Sequence, residues 1–210
     1  LMLPALYLLV RRVTKSPKWS FFATALLAAD FMHFTQTRIA TIDVFVTFFI
    51  ILMYYFMYRY YELDWNEVGL KKTLVPLGLA GVFFGLGAAS KWTGIYAGIG
   101  LAALLFITLY QRVKDRKRAQ KSGDAFDISR TDKTAKNVLL TLLFCVGAFV
   151  AVPVGIYLLS YLPYFLCAEN PYSLKGVWEV QEFMFGYHSK LTATHPYSSK
   201  WYTWPLSIRP

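Results

Sequence analysis

The residues of this chain best suited to chemistry are two charged side chains, Arg38 and Asp43, which lie between two strongly apolar stretches. The stretches are Trp19–Met32, rich in Ala, Phe and Leu, and Val44–Tyr58, rich in Phe, Tyr, Ile and Met. A charged group at bilayer depth costs about 3 kcal/mol on insertion scales, so it is normally paired or faces a water-filled or ligand-filled cavity. Because arginine presents a permanently charged fork that matches phosphate oxygens, Arg38 is a candidate phosphate-binding residue.

A second cation, Lys91, lies beside Trp92 in another short polar turn between apolar stretches. Two interpretations fit each cation: a ligand-binding role, or a side chain that extends to the lipid headgroups at the interface. For Arg38, an internal ion pair with Asp43 is a third interpretation. Asp30 could also pair with Lys91 in the folded chain. The sequence alone leaves these alternatives open.

The composition of the chain predicts a membrane protein. Hydrophobic residues make up 56% of the sequence and charged residues only 16%, whereas a soluble globular domain carries about 25% charged residues. The net charge of +10 would suggest nucleic-acid binding if the basic residues formed one face of a folded domain. They cluster instead in short segments between apolar stretches, so no nucleic-acid partner is expected and the lipid bilayer is.

Apolar stretches of about 20 residues are long enough to cross a bilayer as helices, and the chain contains about six of them. The predicted spans are residues 1–10 (the end of a span), 19–36, 39–60, 73–89, 94–110 and 138–162. We therefore predict an all-α fold, with a polytopic transmembrane helical bundle over residues 1–162. Residues 163–210 are predicted to form an extracytoplasmic loop.

The distribution of Lys and Arg predicts the orientation of the spans. Sixteen of the 22 basic residues fall within residues 11–18, 59–72 and 111–137. Since cytoplasmic loops carry the excess of Lys and Arg, these three segments are predicted to be cytoplasmic. Arg38, Lys91 and residues 163–210 would then face outside.

The last segment, residues 163–210, is too polar to span a membrane and is rich in aromatic side chains. Five of its apolar residues fall on one helical stripe: Val177, Val180, Met184, Tyr187 and Leu191. This spacing predicts an amphipathic helix that lies on the membrane surface. Aromatic rings beside polar groups also hold sugar faces, but composition alone favours a lipid interface.

The histidines and cysteines give no sign of a metal site or a disulfide. His188 and His195 are seven residues apart, and neither has a Cys or carboxylate at metal-ligand spacing. Cys145 falls within a predicted span and Cys167 outside it, so a bond between them is not expected. A divalent-metal requirement is left open, and no glycine-rich phosphate loop or nucleophile elbow occurs.

Three motifs, in order along the chain, resemble protein O-mannosyltransferases. Asp30–Asp43, with Thr-Gln-Thr-Arg-Ile-Ala at 35–40, resembles the family segment that carries an arginine on the outer or luminal side. Gly87–Gly94 is similar to the family's Lys-Trp-x-Gly turn, and His188–Pro205 is similar to the outer loop of bacterial members. Leu3–Arg12 fits the family's second span. The resemblance covers essentially all 210 residues.

This resemblance implies a polytopic, inverting glycosyltransferase of the GT-C type. Such enzymes transfer mannose from a polyprenyl-phosphate carrier to Ser or Thr hydroxyls of exported proteins. Arg38 matches the family's arginine and would stabilise the phosphate as the sugar leaves, with Lys91 as a second phosphate-binding cation. The remaining matched side chains are given site-shaping roles: Asp30, Asp43, Trp92, His188 and His195.

The resemblance also predicts where the catalytic base lies. An inverting transfer needs a base for the acceptor hydroxyl, and in the family it belongs to an acidic pair before the second span. No catalytic residue is therefore expected in this sequence, which reads as an interior piece of a larger enzyme. We predict no turnover by purified residues 1–210 alone, and mannose transfer by that piece would contradict this expectation.

Residues 163–210 run from the surface helix directly to the motif at 195–205, with no β-trefoil insertion of the eukaryotic kind. This arrangement favours a bacterial plasma membrane. Two alternatives remain for the function: another GT-C transferase that acts on lipid A or a different glycan, and a transporter. A transporter would need polar residues on several spans at the midplane, and the last three predicted spans have almost none.

Overall fold

The structure, a computed structural model, describes residues 1–39, 41–167, 173–192, 200 and 202–203. Within those residues it is helical and contains no strand, so the all-α prediction is confirmed. The α-helices are α1 (Met2–Thr14), α2 (Pro17–Ala29), α3 (Phe31–Arg38), α4 (Ile42–Glu62), α5 (Trp65–Val68), α6 (Leu70–Ser90), α7 (Gly98–Ser122), α8 (Ala125–Thr131), α9 (Thr134–Val146), α10 (Val152–Ser160), α11 (Leu162–Cys167) and α12 (Leu174–Lys190). A 3-10 helix spans Trp92–Ala97 and a π-helical turn spans Gly147–Ala151.

Within the described residues, four helical segments are long and apolar enough to cross a membrane. They are Ile42–Glu62, Leu70–Ser90, Trp92–Ser122 and Ala125–Leu166. Each contains one of the last four predicted spans almost completely, because an uninterrupted apolar run of this length leaves a helix as the only way to satisfy the backbone in lipid. The chain is a multi-pass membrane protein.

The predicted span over residues 19–36 is not one continuous helix, because the helix breaks at Asp30. Helix α2 ends at Ala29 and α3 begins at Phe31, and the Asp30 carboxylate accepts a hydrogen bond from the backbone N–H of His33 at 2.6 Å. This is an N-cap, which stabilises the start of a new helix. Helix α2 has 13 residues, about 20 Å of rise, and is shorter than a bilayer core of about 30 Å.

The core of residues 1–160 lies between α4, α6 and α7. Its buried side chains are Met53, Met57, Tyr60, Trp65, Leu77, Ala80, Leu101, Leu105 and Leu109. A smaller cluster of Met2, Ala5 and Ile51 packs α1 against α4. The helix that carries Asp43 at its start is therefore fixed on both sides by neighbouring spans.

Helices α6 and α10 pack closely because α6 has glycines on the contact face. The backbone of Gly81 lies against the carbonyl of Ala148, and a Cβ on Gly85 would lie 2.9 Å from the Cα of Pro153. Small residues allow such close approach between membrane helices. Pro153 is the second residue of α10, which begins where the π-helical turn ends, and a proline, which lacks a backbone N–H, is a common cause of such an irregularity.

Charged residues fix the ends of α1, α4 and α7 that lie on the predicted cytoplasmic side. Glu62, at the end of α4, pairs with Arg12 at 2.5 Å and also with Lys15. Arg112 of α7 pairs with Asp64 at 3.2 Å. Asp43 and Glu62 thus lie at opposite ends of one 21-residue helix, separated by about 30 Å.

Residues 161–210 form a second compact unit. Within it, the Gln181 amide donates to the Tyr161 hydroxyl at 2.9 Å, and Val177 of α12 is buried. The predicted helix is present, but Tyr187 and Leu191 of the predicted stripe are exposed. Further exposed aromatic side chains flank the buried face of α12: Trp178, Phe183 and Phe185.

Candidate phosphate-binding site

An ion pair joins the two short polar turns that the sequence singles out. The Lys91 ammonium donates to Asp43 Oδ1 at 2.6 Å. Lys91 directly follows the last residue of α6, and Asp43 lies in the first turn of α4. The side chains are 40% and 56% exposed, respectively, so the pair contributes only about 0–1 kcal/mol to stability. Its effect is to hold the Lys91 turn beside the start of α4.

The structure decides between the ion pairs that the sequence left open. Asp43 pairs with Lys91, and within the described residues Arg38 has no ion-pair partner. Asp30 caps α3 through the N–H of His33. The alternatives in which Asp43 pairs with Arg38, or Asp30 with Lys91, are therefore wrong. The cap holds Asp30 at the break between α2 and α3, where its oxygen serves the local backbone.

Arg38 is the last residue of α3 and its side chain is exposed. Its guanidinium carbon lies 5.2 Å from the centre of the Phe34 ring, one helical turn earlier. A cation–π contact of this exposed kind contributes about 0.5–1 kcal/mol and uses none of the guanidinium donors. Among the residues that the structure describes, none accepts a hydrogen bond from this guanidinium, so its fork is available to an anion.

A cavity of about 600 Å³ lies between α1, α3 and α4. Its wall is mainly apolar, and two polar residues of α3 line it. The lining residues are Leu1, Met2, Leu3, Pro4, His33, Thr37, Val44, Phe45, Phe48 and Phe49. Thr37 lines this apolar groove, and Arg38 follows it as the last residue of the same helix.

The turn that carries Lys91 is anchored to a third helix. The indole N–H of Trp92 donates to the Tyr157 hydroxyl at 2.8 Å, although the two residues are 65 positions apart in the sequence. Tyr157 lies on α10. Sequence reasoning missed Tyr157 because no local pattern distinguishes it from other aromatic residues of a span, and it missed the cavity position of His33 for the same reason.

The two predicted histidines lie in the segment 161–210. His188 is exposed on α12, where its ring lies 5.3 Å from that of Tyr187. His195 lies outside the described residues. In the part of the chain that the structure describes, no three His, Cys, Asp or Glu side chains are grouped so that they could hold a metal ion.

The candidate site consists of the Lys91–Asp43 pair at the start of α4, where α6 ends, and of Arg38, the last residue of α3, four positions before α4 begins. Its charge is net positive, which attracts an anionic ligand. Fork-shaped and point-like cations together suit the several oxygens of a phosphate. Fold and site define a multi-pass helical membrane protein with basic side chains near one end of α4 and an apolar groove between α1, α3 and α4.

The sequence comparisons identify the family. The sequence model of the dolichyl-phosphate-mannose-protein mannosyltransferase family matches residues 1–168, and the chain belongs to this family. The resemblance that the motifs indicated is confirmed.

The curated relatives are bacterial. The polyprenol-phosphate-mannose–protein mannosyltransferase of Mycobacterium tuberculosis is 26% identical over an alignment of 245 residues, gaps included. The alignment covers 96% of this chain and 44% of the relative. The protein of the same name in Corynebacterium glutamicum is 24% identical, with 98% and 45% covered. The chain thus spans less than half the length of these relatives. No solved structure matches it.

Proposed function

We propose that the protein is an integral-membrane glycosyltransferase that transfers mannose from a polyprenyl-phosphate carrier to Ser or Thr hydroxyls of exported proteins. Membership of the family over residues 1–168 carries this proposal, and the names of the bacterial relatives support the donor and the protein acceptor. The ion pair between Asp43 and Lys91, which brings the two cation-bearing turns together, supports a phosphate site at this edge.

We infer that this edge faces the outside of a bacterial plasma membrane. The support comes from the two ends of α4, which lie about 30 Å apart, close to the thickness of a bilayer core. Glu62, at one end, is surrounded by Arg12 and Lys15 of a basic segment, and basic segments stay cytoplasmic. Asp43, at the other end, then faces outside with Arg38 and Lys91, as does the segment 163–210.

The proposed reaction assigns a charge-stabilising role to Arg38. The acceptor hydroxyl attacks the anomeric carbon of mannose, and the bond from that carbon to the phosphate oxygen breaks with its electron pair on the phosphate. The carrier gains one negative charge as the sugar leaves, and the hydroxyl proton passes to a base. A cation held beside the phosphate lowers the barrier because its attraction grows as that charge develops.

Lys91 supplies the second cation in this proposal. In the structure its partner is Asp43, so a bound phosphate would compete with that carboxylate for the ammonium group. The pair is partly exposed and therefore weak, which lets the exchange occur at little cost. The apolar groove beside Thr37 suits the hydrocarbon chain of the carrier.

Mannose transfer by the full-length protein in membrane vesicles tests the proposal. The donor would be radiolabelled polyprenyl-phosphate-mannose, and the acceptor a Ser/Thr peptide with a matched peptide in which Ala replaces each Ser and Thr. We expect label in the hydroxyl-bearing peptide and none in the matched control. Label that appears only in a glycolipid or glycan would favour a different GT-C acceptor, and absence of transfer from every carrier tested would contradict the proposed donor.

A further inference from the structure

Backbone hydrogen bonds fix the turn of residues 91–94, which joins the end of α6 to the first residues of the 3-10 helix. The Gly94 N–H donates to the Lys91 carbonyl at 2.8 Å, and the Lys91 N–H donates to the Gly87 carbonyl at 3.0 Å. A Cβ on Gly94 would lie 2.7 Å from the carbonyl carbon of Gly87, so the buried glycine lets the turn fold directly against α6. Lys91 and Trp92 leave this turn toward two different helices.

The two side-chain contacts of the turn differ in chemistry. Lys91 contacts Asp43 of α4 through charges, and Trp92 contacts Tyr157 of α10 through a neutral hydrogen bond. A bound phosphate would draw Lys91 away from Asp43, because the phosphate and the Asp43 carboxylate are both anions that compete for the same ammonium group. It would leave the contact between the indole and the phenol in place. The second contact therefore stays in place during the exchange, together with the bond from the Tyr54 hydroxyl to the Ala97 carbonyl at 2.9 Å, which ties the 3-10 helix to α4.

The helix that carries Tyr157 is itself fixed relative to α6. Pro153 packs against the backbone of Gly85, and it lies one helical turn before Tyr157 on the same face, since residues four apart are neighbours on a helix. Helix α10 therefore presents the Tyr157 hydroxyl at a set position beside the end of α6.

We infer that Tyr157 is a positioning residue for binding of the donor phosphate: its hydroxyl holds the Trp92 indole and thereby the turn that presents Lys91. This inference rests on the proposed function, in which Lys91 binds that phosphate. Trp and Tyr are also common anchors at membrane interfaces. In that role the aromatic ring is needed, and the hydrogen bond between the two side chains is not. Substitution by Phe separates the two roles, since it keeps a ring at each position.

Tyr157→Phe in the full-length protein tests the inference, together with Trp92→Phe and the double variant. We expect each single variant to raise KM for polyprenyl-phosphate-mannose about fivefold, the loss expected for one neutral hydrogen bond, and to change kcat less than about twofold. The double variant should be no worse than either single one, because both remove the same bond. Tyr96→Phe is the matched control, since Tyr96 lies in the same 3-10 helix as Trp92 and is 73% exposed.

An unchanged KM in Tyr157→Phe, or losses that multiply in the double variant, would overturn the positioning role. A loss of kcat and of folded protein with KM unchanged would also overturn it, since that result indicates a structural role only. Direct binding of polyprenyl monophosphate separates this inference from the proposed reaction. Weaker binding by Tyr157→Phe supports positioning even if wild-type protein transfers no mannose, whereas equal binding by the two proteins contradicts it.

Discussion

Replacing Arg38 by Ala is expected to lower kcat/KM for mannose transfer by about 10²- to 10³-fold, the usual loss when a group that stabilises developing charge is removed. Arg38→Lys should recover part of this loss, because it keeps the charge and gives up the planar fork that binds two phosphate oxygens at once. Transfer from radiolabelled polyprenyl-phosphate-mannose to a Ser/Thr peptide, measured for the full-length protein in membranes, gives both values.

Arg38 suits this test because its replacement should have little effect on stability. The side chain is exposed, and its guanidinium lies over the Phe34 ring with no ion pair or hydrogen bond to the described residues, so its removal should change stability by less than about 1 kcal/mol. A large loss of activity would then report on the reaction. Equal amounts of inserted protein, measured in the same membranes, confirm that the variant folds.

Arg59→Ala is a matched control for Arg38→Ala. Arg59 is also an exposed arginine, in the last turn of α4 at the end opposite to Asp43. We expect its removal to leave transfer within about twofold of wild type, because charges more than a Debye length of about 8 Å away are screened. Normal transfer by both Arg38 variants would contradict the phosphate role and leave Arg38 as an interfacial anchor.

The sequence predicted those parts of the fold that depend on uninterrupted apolar length. Helices over 42–62 and 70–90 follow from such runs, since lipid leaves the backbone no partner outside its own helix. It did not predict the break at Asp30, because hydropathy averages one carboxylate into its apolar neighbours. The break depends instead on a local competition in which the Asp30 side chain caps the N–H of His33.

The sequence singled out the charged residues of the candidate site, but it could not predict which of them form an ion pair. Arg38, Lys91 and Asp43 stood out because charges are costly within apolar sequence. Which carboxylate meets Lys91 depends on how α4 packs against α6, and the two partners are 48 residues apart. The bond between Trp92 and Tyr157 depends on the contact of α6 with α10. In lipid-facing helices that are apolar on most sides, periodicity gives little information about such contacts.

Replacing Lys91 by Ala is expected to lower kcat/KM by about 10²-fold, through two effects that a second substitution can separate. The phosphate loses a cation, and Asp43 loses its partner, so that an uncompensated carboxylate remains at the site and repels the donor. Asp43→Asn in the Lys91→Ala background removes this repulsion. We expect the double variant to regain about tenfold in kcat/KM, and Asp43→Asn alone to lose less than about fivefold.

The recovery follows from the arrangement of the pair. Lys91 Nζ lies 2.6 Å from Asp43 Oδ1, so a phosphate that binds Lys91 also comes close to Asp43. The repulsion is moderate because both side chains are partly exposed, which reduces the interaction between charges. A matched pair on α7, Asp115 with Arg118 at 3.9 Å and similarly exposed, serves as the control, and Arg118→Ala should leave transfer unchanged with or without Asp115→Asn.

The same three variants distinguish two roles for Asp43: a carboxylate that neutralises the charge of Lys91, and a carboxylate that binds the substrate. If Asp43 contacted the mannose or the acceptor, Asp43→Asn alone would lose as much as Lys91→Ala, and the double variant would regain nothing. If the pair were only an interfacial ion pair, all three variants would transfer normally, which its small stability contribution permits. If the double variant regains kcat/KM while Asp43→Asn by itself changes it little, a negative charge of the donor must come near Asp43. That result would place the donor phosphate beside Lys91.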